Sequence, residues 1–142
     1  MIRRPPRSTR VRSSAASDVY KRQNDLSAHG APADAEGNLA TMIEMARKQN
    51  PQVPIVICTL PPRDNPKAPM KPGAYDDLNV RIAKLAAGKE RIVVVDLAKA
   101  LATSDGKFAA ENFTDDRLHI AEPGYQKWAE AAKKAFGQLG IN

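Results

Sequence analysis

The chain reads as an α/β protein, with strands and helices alternating about a parallel sheet covered on both faces. Two short runs rich in β-branched residues, 53–60 (VPIVICTL) and 91–97 (RIVVVDL), are nearly continuously apolar. That is the pattern of strands buried on both faces. Each run follows a stretch with apolar residues at helical spacing, and a third such stretch closes the chain. Strands alternating with helices of this length imply βαβ units.

Leu39, Met42, Ile43 and Ala46 recur at the spacing of one helix face and predict a helix over roughly 36–49. Asn50-Pro51 stops it, because the residue before a proline is pushed out of the helical region. The first strand follows, then a loop rich in proline from Pro61 to about Gly73. Tyr75, Leu78, Ile82, Leu85 and Ala86 mark a second helix, with Gly88 placed to end it in a left-handed conformation. After the second strand come a short helix near 98–102, a Ser104-Asp105-Gly106 turn, and a loop reading Asp116-Arg117-Leu118-His119. Pro123 fits the first turn of a last helix, whose inner face is expected at Tyr125, Trp128, Ala129, Ala132 and Phe136. Two strands make a poor sheet, since three or more are usually needed for stability. The expectation is the back half of a larger α/β domain, over 24–142.

Composition narrows the function classes. A chain of 142 residues allows one domain. Its formal charge of +6 lies wholly in residues 1–23, where seven basic side chains face Asp18 alone. The other 119 residues hold 15 charges of each sign. Nucleic-acid binding calls for basic residues clustered on folded elements, so no nucleic-acid partner is expected. No apolar run approaches the ~18 residues that span a membrane, and no membrane partner is expected. The N-terminus has positive charges without the apolar region of a secretory signal. Cys58, the single cysteine, excludes an internal disulfide, which suits the cytoplasm and equally a periplasmic or secreted setting.

Residues 1–23 (MIRRPPRSTRVRSSAASDVYKRQ) have few apolar residues and no period. Such a segment buries too little surface to offset its ordering entropy, and a disordered basic tail or nucleic-acid arm would read this way. The string also resembles a translated sequencing-adapter peptide of the kind found in metagenomic gene calls. That resemblance covers the whole segment and implies a non-native stretch standing in place of a true N-terminal part. It predicts a seam at Asn24.

The chemistry-bearing residues sit at the two ends of the remaining sequence. Asp116 precedes His119 by three residues on a loop that leads into the last helix. At that spacing a carboxylate can reach Nδ1 of the histidine, leaving Nε2 to face a cleft, as in the acid–base pair of a serine hydrolase. The pattern by itself occurs often by chance and favours a histidine that caps or packs against the helix. Its place at the end of an α/β pattern points to catalysis. A metal is not expected, because the only other histidine is His29 and neither has a ligand cluster. At the seam stands Asn24-Asp25-Leu26. An asparagine amide can donate to the oxyanion of a tetrahedral intermediate, and Asn-Asp is also a common turn or helix-cap pair.

Together, Asn24-Asp25 and Asp116-x-x-His119 resemble two of the four sequence blocks of the SGNH (GDSL-type) hydrolase family: the Asn of G-x-N-D and the D-x-x-H pair. The resemblance covers residues 24–142. It implies a flavodoxin-like α/β/α fold with about five parallel strands, of which about two are present here. It implies ester hydrolysis of a small-molecule ester without cofactor or metal. It assigns His119 as general base and acid, Asp116 as its orienter and Asn24 as oxyanion donor.

The departures are specific. No G-D-S occurs in the chain, the Gly-bearing block is absent, and Arg22 stands where the third block has glycine. Ser8, Ser13, Ser14 and Ser17 lie in the adapter-like string, Ser27 follows Asn24 too closely, and Ser104 belongs to a turn. The expectation is a parent esterase whose nucleophile this chain lacks, and hence an inactive chain. A non-catalytic α/β binding module is the alternative, and a nucleic-acid binder acting through the basic segment a third. Arg63 and Asp64 follow the first strand at the edge where they could touch substrate, and they read rather as a solvated loop. Trp128, Tyr125 and the buried Cys58 read as packing residues. No glycine-rich phosphate loop is present.

Overall fold

The computed structural model describes residues 31–141. Asn24, Asp25, Ser27, His29 and the seam lie outside the described residues. The elements, in order, are α1 (Pro32–Gln49), β1 (Ile55–Cys58), α2 (Ala74–Ala86), β2 (Ile92–Val95), α3 (Leu97–Ala100), a 3₁₀ turn (Ala110–Asn112) and α4 (Glu122–Gln138). The helices and strands follow the expected order, and the strands are shorter than their apolar runs.

Helix α1 begins four residues before its expected start. Pro32 occupies the first turn, where its missing N–H costs nothing, and the Asp34 carboxylate accepts from the Ala31 amide at 3.4 Å. Helix α2 follows Gly73, whose φ of 77° suits a residue without Cβ. It ends at Ala87 and Gly88, the latter at φ 70°, as the sequence predicts.

Strands β1 and β2 pair in parallel, with Ile55 opposite Ile92 and Cys58 opposite Val95. Alternation along each strand then sorts the side chains into two layers. Ile55, Ile57, Ile92 and Val94 face α1 and α2, where Leu39, Ile43, Leu60, Leu78 and Ile82 complete a core. Val56, Cys58, Val93 and Val95 face the opposite side and pack with Leu97, Trp128, Ala131 and Ala135. The result is helix, sheet, helix, the partial α/β arrangement expected. Cys58 is buried in it, as its sequence setting indicates.

The inner face of α4 needs correcting. Gly124, Trp128, Ala131, Ala135 and Leu139 face the body, with Ala135 3% and Leu139 9% exposed. Tyr125, Ala129 and Phe136 are exposed, which rotates the buried stripe one residue from the expected one. The reason is twofold. The small residues Gly124, Ala131 and Ala135 let the helix approach the sheet closely. Tyr125 stacks on the outside of Trp128, ring centroids 6.0 Å apart.

Phe136 has another surface to serve. Among the described residues β1 pairs only with β2. Its outer edge opens on an apolar groove of about 330 Å³ between α1 and α4, walled by Leu39, Met42, Ile43, Phe136 and Ile141.

Candidate active site

The C-terminal ends of both strands are knitted together before the loops begin. Thr59, just past β1, donates its hydroxyl to Asp96 Oδ1 at 3.3 Å and accepts from the Ala98 amide at 3.1 Å. Asp96 also caps α3 by accepting from the Lys99 amide at 3.0 Å. The next residue, Leu60, is held from α2: its amide donates to Asn79 Oδ1 at 2.7 Å and its carbonyl accepts from the Tyr75 hydroxyl at 3.0 Å. Burial pushes the Tyr75 phenol well above its ordinary range, so it stays a neutral donor.

The segment that carries the expected acid–base pair is anchored at its base by one buried amide. Asn112 is fully buried and its Nδ2 donates to the Leu101 carbonyl at 3.0 Å. Its backbone carbonyl accepts from the Ala121 amide at 2.9 Å. A Cβ on Gly124 would stand 2.4 Å from that same carbonyl and 2.7 Å from Ile120, so only glycine lets α4 start here. Between these anchors Phe113 and Ile120 form an antiparallel bridge, and the Thr114 amide donates to the His119 carbonyl at 2.8 Å. The chain turns over at residues 114–117, closed by the Arg117 amide on the Thr114 carbonyl at 2.9 Å.

That turn is organised about the Asp116 carboxylate. Oδ1 accepts from the Leu118 and His119 amides, both at 2.9 Å, and from the Thr114 hydroxyl at 2.7 Å. Oδ2 faces Nδ1 of His119 in direct hydrogen-bonded contact. The bond from the His119 amide, then those from the Thr114 hydroxyl and the Leu118 amide, hold the Asp116 carboxyl below its ordinary value. An ionised Asp116 makes Nδ1 the donor, and the neutral imidazole then keeps its lone pair on Nε2. The side chains of His119 and Asp116 are 48% and 41% exposed, so the pair is open to an incoming molecule.

A second loop meets this one. Asp64, in the segment after β1, accepts on its backbone carbonyl from Arg117 Nε at 3.3 Å, and its carboxylate pairs with Arg117 Nη2. The Asp64 amide donates to the Arg117 carbonyl at 3.0 Å. The guanidinium lies over the Phe108 ring, 4.8 Å from its centroid. Arg117 has φ 57°, in the left-handed region. There a side chain with Cβ costs roughly 1–2 kcal/mol. Asp64, Phe108, Tyr75 and Met70 line an open recess of about 470 Å³ beside the pair of loops. Arg63, half-buried, donates to the Ala68 carbonyl, and burial lowers its pKa.

Of the residues read from sequence, the structure brings Asp116 and His119 together, while Asn24 lies outside the described residues. Ser104 sits at the tip of a turn closed by the Thr103 amide on the Lys107 carbonyl at 2.9 Å. Sequence reasoning missed Thr114 and Arg117. Thr114 had a signal, a hydroxyl two residues before an aspartate, a spacing that favours local hydrogen bonds. Arg117 had none, since its partner is 53 residues away. Among the described residues no three of His, Cys, Asp and Glu gather as metal ligands, and no helix is long and apolar enough to cross a membrane.

The model of the GDSL-like lipase/acylhydrolase family matches residues 23–127. Comparison with curated protein sequences gave no match. Among solved structures, the fold is similar to a protein from Streptococcus pneumonia provisionally described as a platelet activating factor. Its TM-score is 0.69 at 19% identity, over 79% of this chain and 55% of that one. It is also similar to a GDSL-like lipase from Bacteroides thetaiotaomicron VPI-5482, with TM-score 0.64 and 21% identity over 78% and 54% of the two chains. The chain thus spans about half the length of the solved proteins it matches.

Proposed function

Since the chain belongs to the GDSL-like lipase/acylhydrolase family, we propose that it carries the acid–base half of a serine ester hydrolase site. The nucleophile comes from sequence beyond this chain. The observation that carries the reading is the Asp116–His119 pair. Its carboxylate is held ionised by three donors, and its other oxygen meets Nδ1 of the imidazole.

In the intact enzyme Nε2 of His119 takes the proton of a serine hydroxyl as Oγ bonds to the ester carbonyl carbon. The carbonyl oxygen becomes an oxyanion that accepts from the Asn24 amide. Collapse of the intermediate breaks the bond to the alcohol oxygen, and Nε2–H returns the proton to that leaving group. Water, deprotonated by the same nitrogen, then releases the acid and restores the serine. Asp116 orients the ring and stabilises its charged form. Each proton taken is given back, so the cycle needs neither metal nor organic cofactor. The substrate is a small-molecule ester.

By itself the chain is inactive on this reading. Among the described residues Ser104 is the only serine, and the whole sequence has no G-D-S. Purified protein assayed with p-nitrophenyl acetate is expected to show no turnover that a serine-directed inhibitor abolishes. Inhibitor-sensitive turnover would overturn the inactivity. The hydrolase reading is tested on the upstream reading frame. A longer chain with G-D-S after a strand should turn over esters and lose on the order of 10⁶ in kcat on His119→Ala. Continuous coding sequence without that motif would favour the second reading, a non-catalytic α/β module, which the missing nucleophile supports. Nucleic-acid binding through residues 1–23 would show as steeply salt-dependent affinity. The balanced charge of the remaining residues counts against it.

A further inference from the structure

We propose that Arg117 is a positioning residue. It clamps the Asp116–His119 loop to the loop after β1 and thereby holds the imidazole in its Nδ1–H tautomer. The inference rests on the reading of Asp116 and His119 as a working pair. It concerns two residues, Arg117 and Asp64, that lie outside the acid–base pair itself.

Four contacts converge on Arg117: its guanidinium on the Asp64 carboxylate and on the Asp64 carbonyl, its carbonyl on the Asp64 amide, and its plane on Phe108. At φ 57° glycine fits without penalty, yet the chain places an arginine there. A side chain kept where its own Cβ is unfavourable is there for what its far end does. The far end grips a loop 53 residues earlier in the chain.

The position of Arg117 decides what the grip controls. It is the residue between Asp116 and the Leu118 and His119 amides that bind Asp116 Oδ1. While residue 117 stays left-handed, those amides point at the carboxylate and Oδ2 points at Nδ1. If residue 117 leaves that conformation, the amides turn away and the carboxylate is released. An exposed ion pair of this kind adds little to global stability. Its effect is on geometry, so the stability of the chain and the state of the imidazole should separate.

The test is imidazole tautomerism by long-range ¹H–¹⁵N correlation on the full chain. A His29→Gln background leaves His119 as the single histidine. In water the neutral imidazole of histidine favours the Nε2–H form, so an excess of Nδ1–H reports the bond to Asp116. The parent chain is expected to show that excess, and Asp116→Asn to lose it. Arg117→Gly removes the clamp while relieving the backbone, and Asp64→Asn removes the partner without touching residue 117. Each is expected to lower the Nδ1–H to Nε2–H ratio roughly fivefold, the effect of one hydrogen bond, with an unchanged circular-dichroism melt. Retention of the parent ratio in Arg117→Gly overturns the proposal. Should that variant fail to fold, retention in Asp64→Asn overturns it instead. If Asp116→Asn leaves the ratio unchanged, the acid–base pair itself is wrong, a different failure from that of the clamp.

Discussion

The layered body, residues 32–100 together with α4, and the segment 101–121 that presents the histidine are held by different forces. In the body, Leu60, Leu78, Ile82 and Leu97 are wholly shielded from water and apolar packing dominates. In the later segment Asp116, Arg117 and His119 are exposed, and named hydrogen bonds do the holding, with Leu101, Ala109, Asn112 and Phe113 buried beneath as a footing. Packing is non-directional, and it holds by close fit of side-chain volumes. Hydrogen bonds to one carboxylate fix an imidazole by angle as well as by distance. A site that needs direction is thus mounted on a body that needs only volume.

The largest expected effect breaks the body. Leu78→Ala removes a side chain with no exposure from the core between α1, α2 and the sheet. Burial of this kind is worth about 2–5 kcal/mol. A urea titration followed by far-UV circular dichroism should show the midpoint fall, or the variant already unfolded in buffer. An unchanged midpoint would mean that the layers do not hold the chain.

A middle effect tests the joint between the two regions. Gly124→Ala drives a Cβ against the Asn112 carbonyl. Overpacking of this sort costs about 1–3 kcal/mol. The same titration measures it. The Ala121 amide, which donates to that carbonyl, should exchange with solvent faster than in the parent chain. Unaltered exchange would show that α4 starts without leaning on Asn112.

The smallest effect concerns the site alone. The Asp116 carboxyl titrates below its ordinary value in the folded chain, so its contribution is complete above the unfolded carboxylate pKa of about 3.9. It is lost as the pH falls below that value and through the depressed folded one. Acidification should therefore release the Leu118 and His119 amides at the low end of the pH scale while the core melt barely moves. Amide exchange at the two positions checks this. Release at neutral pH would contradict the shift, and the Asp116→Asn variant should show no such step.

Much of this was legible in the sequence because much of it is local. Apolar runs at 53–60 and 91–97, Pro123 in a first helical turn, and Gly88 after α2 all act within a few residues of themselves. The Asp116–His119 pair is local too. Three residues separate its members, and its supporting donors, Thr114, Leu118 and the His119 amide, come from the same turn. The stripe on α4 was misread by one residue. Tyr125 and Phe136 are large and apolar enough to be counted inward, whereas the sheet selects the small side chains that let a helix approach.

What the sequence by itself determined is the alternation of strand and helix, and a carboxylate within reach of an imidazole, because periodicity and short-range spacing survive without knowledge of what packs where. Only the tertiary structure decided that Arg117 lies against Asp64, that Gly124 must clear the Asn112 carbonyl, and that the outer edge of β1 opens on an apolar groove among the described residues. Those contacts join residues far apart in the chain. Their partners are set by how the layers stack, and no local pattern carries that information.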